Sequence, residues 1–189
     1  MRLFLLPVLL FSFSAEAQQF AGQASVIDGD TIEIAGTRFR LHGIDAPESS
    51  QICQDAGGRD YRCGQKSAFA LADWIGRATV SCERRDTDRY GRVVAVCRVR
   101  GKDMNQWMIQ QGWAVAYREY SQDYVPDELT ARRVRAGIWT GNFVLPSEWR
   151  KGRRIDHYPR DVPGYAVGRS LELEPNNMLI VTDALIVCE

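Results

Sequence analysis

The stretch from Ala24 to Ile34 constrains the fold more than any other. Its residues alternate in character on both sides of Asp28-Gly29. Successive side chains of a strand point to opposite faces, so this is the pattern of two half-buried strands joined by a tight turn. Ala35-Gly36 marks a second turn, and Thr37 to Ile44 reads as a third strand that Pro47 ends. The segment from 48 to 64 has no period and reads as an irregular loop. Ala68, Leu71, Ala72 and Ile75 then fall at the spacing of an amphipathic helix, with Gly76 as its stop. Ala78 to Cys82 and Val93 to Val99 read as strands across a charged stretch from Glu83 to Arg92. Asp103 followed by Gln106 resembles a capping box for a second helix, whose apolar face is Met104, Trp107 and Met108 and whose end is Gly112. A third helix is expected from near Pro126 to Gly137, with Ile138 and Trp139 as a hydrophobic anchor.

Three strands, a helix, two strands and a helix match a mainly β, α+β chain. The expected architecture is a five-stranded Greek-key barrel of the oligonucleotide-binding type (OB-fold), with about three helices packed on it. Periodicity alone leaves other α+β folds open.

The two ends differ from the middle. Met1-Arg2, the apolar run from Leu3 to Phe13 and Ala15-Glu16-Ala17 have the basic, apolar and small-residue regions of a signal peptide over residues 1–17. After Trp149 the chain turns basic from Arg150 to Arg154, is broken by Pro159 and Pro163, and ends acidic and apolar. The expected division is a leader over 1–17, a folded domain over 20–149 and a C-terminal extension over 150–189. Met178 to Val187 is too short to span a bilayer, so no stable membrane insertion is expected. The expected product is a secreted or periplasmic monomer.

Five cysteines fit an oxidising compartment: Cys53, Cys63, Cys82, Cys97 and Cys188. Four cysteines pair in three ways, and sequence alone does not choose among them. Local pairing is the expectation, Cys53 with Cys63 around a Gly-rich loop and Cys82 with Cys97 across a hairpin, leaving Cys188 over. No Cys-x-x-Cys pattern points to a soft-metal site.

The 24 basic residues balance 24 acidic ones, so whole-molecule attraction to a polyanion is excluded and any such site must be a local patch. Asp28-Gly29 is explained as a turn. Asp30 needs another reason, since aspartate is disfavoured in strands. Asp45-Ala46-Pro47-Glu48 gathers two more carboxylates just past a strand end. Carboxylates collected at barrel strand ends make a hard, oxygen-rich site suited to Ca²⁺ or Mg²⁺. Arg40 must face away from Phe39 and Leu41, and Arg92 follows Asp88-Arg89-Tyr90-Gly91 at the base of a hairpin. Singly, each arginine reads as a solvated surface charge. Together the set has the parts for phosphodiester hydrolysis: a cation site, guanidinium groups to clamp phosphoryl oxygens, and a carboxylate to prepare water. No Gly-x-Ser-x-Gly or histidine-based nucleophile pattern competes with it.

Ile27-Asp28-Gly29-Asp30-Thr31, then Phe39-Arg40-Leu41 through Asp45-Ala46-Pro47-Glu48, then Thr87-Asp88-Arg89-Tyr90-Gly91-Arg92 resemble the staphylococcal nuclease family in order and spacing. Val115-Ala116-Tyr117 and Gly137-Ile138-Trp139 continue the match, which covers roughly residues 20–149. The resemblance implies a Ca²⁺-dependent endonuclease that cuts DNA and RNA, single-stranded or locally opened, with little sequence preference. By matched position it implies Asp30 and Asp45 as carboxylate ligands, with the backbone carbonyl of Ala46 as a third. It implies Glu48 beside the attacking water, Arg40 and Arg92 on the phosphate, and Tyr117 in the substrate pocket. A second pocket residue maps onto Glu119 or Tyr120, with Tyr120 preferred. Two departures stand out: the loop after Glu48 carries Cys53 and Cys63 and no lysine, and residues 150–189 have no counterpart. Two rival readings are weighed. A pure nucleic-acid-binding barrel has no need of all five charged site residues, and a structural calcium protein has no need of Arg40 and Arg92.

Overall fold

The computed structural model describes residues 19–155, together with three short strands, Glu172–Leu173, Leu179–Val181 and Ala184–Leu185, that pair with one another. The expected leader and Cys188 lie outside the described residues. In chain order the elements are β1 (Gln19–Asp28), β2 (Thr31–Ile34), β3 (Thr37–Leu41), β4 (Ile44–Asp45), β5 (Ile52–Gln54), β6 (Asp60–Arg62) and α1 (Cys63–Ile75). They continue with β7 (Thr79–Thr87), β8 (Val93–Val99), β9 (Lys102–Asp103), α2 (Met104–Gln110), β10 (Val115–Ala116), α3 (Val125–Arg133), a 3₁₀ turn (Gly137–Thr140) and α4 (Pro146–Arg150).

The order β3-β2-β1-β7-β8 is antiparallel at each step, and parallel pairing of β3 with β8 closes it into a five-stranded barrel. Closure removes the free edges of these short strands. Ile32, Phe39, Leu41, Val80 and Val99 fill the inside, and Leu71, Ile75, Met104 and Met108 from the helices seal it. Asp103 caps α2 as its sequence requires, its side chain accepting the Gln106 N–H at 3.0 Å.

A second, smaller core forms where Ile138, Trp139 and Phe143 pack around the Cys53–Cys63 disulfide. The other bridge joins Cys82 and Cys97, which sit directly opposite on β7 and β8. Both local pairings expected from the sequence are therefore formed.

Three local expectations change. Asp28 pairs with Thr31, so the hairpin loop is Gly29-Asp30 rather than Asp28-Gly29, and a bulge precedes it. A Cβ on Gly29 would lie 2.0 Å from Ser67 Oγ and 2.7 Å from Ala46 Cβ, so only glycine fits at this position of the turn against α1. The segment 48–64 contains the hairpin β5–β6 rather than being irregular throughout, and the disulfide joins the middle of β5 to the first residue of α1. The charged stretch after Cys82 continues β7 to Thr87, because the barrel partner β8 supplies its ladder where composition alone suggests a loop.

Candidate active site

Asp30 sits in the β1–β2 loop, with its backbone N–H held by Asp28 Oδ1 at 3.0 Å. Its carboxylate accepts the Thr31 hydroxyl at 3.2 Å and the Ala46 N–H at 2.7 Å. The second bond fastens the hairpin to the segment after β4. Asp45 ends β4, which pairs with β10, and is only 1% exposed.

Arg40 lies opposite Thr31 across β2 and β3. Its side chain faces away from the barrel core, as alternation requires, yet is only 13% exposed. It is not the solvated charge that the strand pattern suggested, because two carboxylates cover it. Arg40 forms an ion pair with Asp30 and reaches Asp45 Oδ1 at 3.0 Å. One guanidinium thus bridges two buried carboxylates, one from the β1–β2 loop and one from β4.

Glu48 is held at its backbone by Gln51, whose side-chain oxygen accepts the Glu48 N–H at 3.2 Å. Gln51 is fully buried and donates to the Val144 carbonyl at 2.6 Å. Behind Glu48, a Cβ on Gly64 would lie 1.8 Å from the Glu48 carbonyl oxygen, so only glycine lets α1 begin against this turn. The two ends of segment 48–64, which reads as irregular in sequence, are thereby fixed against each other.

Arg92 is anchored by Asp88, with Nε donating to Asp88 Oδ2 at 2.7 Å. Its Nη1 reaches the Thr31 hydroxyl at 3.4 Å, which links it through Thr31 to Asp30. Tyr117 and Tyr120 lie side by side with ring centroids 4.7 Å apart, and Tyr120 is 71% exposed. Asp30, Arg40, Glu48, Arg92, Tyr117 and Tyr120 all line one open cleft. Cys53 and Cys63 stand apart from it, in the second core.

The electrostatics are those of crowded anions. Burial, then the charge of Asp30, push the Asp28 carboxyl up to about 7. Burial also raises Asp45, against the opposing hydrogen bonds of Arg150, and the Asp30 charge adds to the rise. Burial would lower Arg40, but Asp30 and Asp45 outweigh it and hold the guanidinium charged. Hydrogen bonds from Arg92 hold Asp88 low despite its partial burial. Among the described residues no three His, Cys, Asp or Glu side chains form a metal cage. Two crowded buried carboxylates beside a backbone turn instead fit a hard divalent cation that keeps much of its water. A cation there would offset the Asp30 charge, which adds to the rise that burial gives Asp45.

Two contributors were missed from sequence. Asp28 lines the cleft in addition to shaping the turn. Arg150, assigned to the extension, is the last residue of α4 and donates to Asp45 at 2.9 and 3.0 Å and to Glu48 at 2.7 Å. A signal for α4 was present: Pro146 at a helix start with Glu148 in the first turn.

The chain is similar in sequence to known proteins over much of its length. The family described as "Staphylococcal nuclease homologue" matches residues 38–141. The succinoglycan biosynthesis protein ExoI of Rhizobium meliloti is 47% identical over 152 residues, covering 78% of this chain and 80% of that protein. An uncharacterized endonuclease of Haemophilus influenzae is 34% identical over 139 residues, covering 69% of this chain and 72% of its own length. A micrococcal nuclease of Shigella flexneri is 32% identical over 165 residues, covering 78% of this chain and 89% of its own.

Proposed function

This chain belongs to the staphylococcal nuclease family and is an endonuclease of that kind, and we propose that it hydrolyses phosphodiester bonds of DNA and RNA with calcium as its cation. The observation that carries the reading is Arg40 bridging the buried Asp30 and Asp45 in a cleft that also presents Glu48 and Arg92. Asp30, Asp45 and the Ala46 carbonyl hold the cation. When bound, it supplies positive charge that offsets the charge developing on the phosphoryl oxygens.

The chain's own groups do the rest. Glu48 accepts the proton of the water whose oxygen bonds to phosphorus, as the ester oxygen on the opposite side departs with the bonding pair. Gln51 and Gly64 hold the turn from which Glu48 acts. Arg40 and Arg92 offer planar, two-pronged donors to the phosphoryl oxygens, and their positions are set beforehand by Asp30, Asp45 and Asp88. Tyr117 and Tyr120 give a face on which a base or sugar rests, which reads no sequence and suits single or locally opened strands.

A structural calcium site would leave Arg40 and Arg92 without a purpose. A pure binding barrel would place basic and aromatic residues along the groove without sinking two carboxylates in it. The two disulfides are the chemistry of an oxidising compartment, and we place the mature protein in the periplasm or outside the cell. The test is digestion of plasmid DNA and of RNA by the purified mature protein. Cleavage is expected with calcium and none with chelator; full cleavage in chelator contradicts the reading.

A further inference from the structure

Arg150 lies beyond the 38–141 segment that the family match covers, and no role follows for it from that match. Its position is nevertheless built. Helix α4 starts at the buried Pro146, and the preceding Val144 carbonyl is tied to the Glu48 turn through Gln51. The neighbouring Lys151 and Arg153 bond to Glu148, whereas the Arg150 side chain enters the cleft. There Nη1 serves both Asp45 and Glu48, and Nη2 serves the other Asp45 oxygen and approaches the Tyr117 hydroxyl at 3.5 Å.

Arg40 and Arg150 both contact Asp45 but differ in freedom. Arg40 rises from a barrel strand, is 13% exposed, and is fixed by carboxylates on two sides. Arg150 ends a five-residue helix, reaches in on a long stem, and is 38% exposed. Its two-pronged face on Asp45 is the geometry that also fits a phosphate. The charges point the same way. Among the groups that Arg40 and Arg150 touch, Asp30, Asp45 and Glu48 carry three negative charges against the two positive charges of these arginines, leaving one negative. A divalent cation and a phosphodiester anion together add one positive charge, which balances this cluster without removing Arg150 from the cleft.

We propose that Arg150 is a third phosphate-binding residue of this site, one that exchanges partners. It holds Asp45 and Glu48 until a divalent cation claims Asp45, and then turns its guanidinium onto the substrate phosphate. The exchange frees the Glu48 carboxylate for water at the moment substrate is engaged. This inference rests on the nuclease reading and adds a residue to it.

The exchange gives Arg150→Ala two effects of opposite sign. Calcium, titrated calorimetrically without nucleic acid, should bind several-fold more tightly, because its competitor for Asp45 is gone. A short single-stranded phosphorothioate oligodeoxynucleotide, followed by fluorescence anisotropy at saturating calcium, should bind about ten-fold or more weakly, the loss of one charged hydrogen-bonding group. Arg150→Lys should recover less than half of the lost oligonucleotide affinity on a logarithmic scale, because it lacks the fork. Arg150→Gln serves as a second variant if the alanine protein melts early. Calcium affinity that is unchanged or weaker overturns the exchange, and unchanged oligonucleotide affinity overturns the phosphate role. Either result, with wild type still cutting in calcium, leaves the nuclease reading standing. A wild type that neither binds calcium nor cuts overturns both.

Discussion

The Asp30 carboxylate accepts the Ala46 N–H at 2.7 Å, which fastens the first hairpin to the turn that carries Asp45 and Glu48. On the proposed reading, one side chain therefore serves both as a cation ligand and as the clasp between the two segments that would hold the cation. Asp30→Ala should weaken calcium binding by about ten-fold or more, since removing even an outer partner of a ligand costs that much. It should also lower the melting temperature, because a buried amide left without an acceptor costs about 1–3 kcal/mol. Calorimetric titration and a thermal melt check the two effects. An unchanged calcium affinity would remove Asp30 from the ligand set.

Glu48→Gln should separate chemistry from binding. The amide cannot take a proton, so kcat should fall by about 10²–10⁴. Calcium affinity should change little, because Asp30 and Asp45 remain. The melt should also stay near wild type, since Gln51 holds the backbone of residue 48, and the half-exposed side chain keeps an amide oxygen that can accept from Arg150. Parallel losses in calcium affinity and kcat would make Glu48 a ligand instead.

The Cys53–Cys63 bridge closes a sequence separation of 10 residues in the second core, beside the segment that positions Glu48. Replacing both cysteines with serine should cost about 3 kcal/mol on the chain-entropy account, seen as a lower denaturation midpoint. Peptide mapping without reduction should recover Cys53 with Cys63 and Cys82 with Cys97. A peptide joining Cys53 to Cys82 or Cys97 would contradict the structure.

What the sequence made legible follows a physical divide. Alternation and capping are local, so the barrel strands and the Asp103 cap could be read directly. The Gly29-Asp30 turn could not, because it sits against Ser67 on α1 and Ala46, contacts with residues far along the chain. Arg40 was assigned to the right face, but its burial depends on Asp30 and Asp45 folding over it, which no strand pattern encodes. Arg150 was missed for the same reason. A basic run after the last aromatic anchor looks like solvated charge, and long-range ties such as Gln51 to Val144 and Gln54 to Asn142 bring that segment back to the cleft.

The central claim is that guanidinium groups in this cleft act on the transition state. Arg40 is a compromised probe of it, because truncating a buried ion-pair partner strands Asp30 and Asp45 and costs about 3–5 kcal/mol of stability. Arg92 is the cleaner one, since its side chain is 28% exposed and its ion-pair partner Asp88 is 18% exposed, so truncation strands no fully buried carboxylate. The deciding measurement is the steady-state kcat of Arg92→Ala at saturating calcium, with the melt and the calcium affinity recorded alongside. The predicted result is a fall of about 10²–10³ in kcat, with stability and calcium affinity close to wild type and no full rescue by Arg92→Lys. A kcat near wild type would contradict the account, whatever nucleic acid the protein cuts.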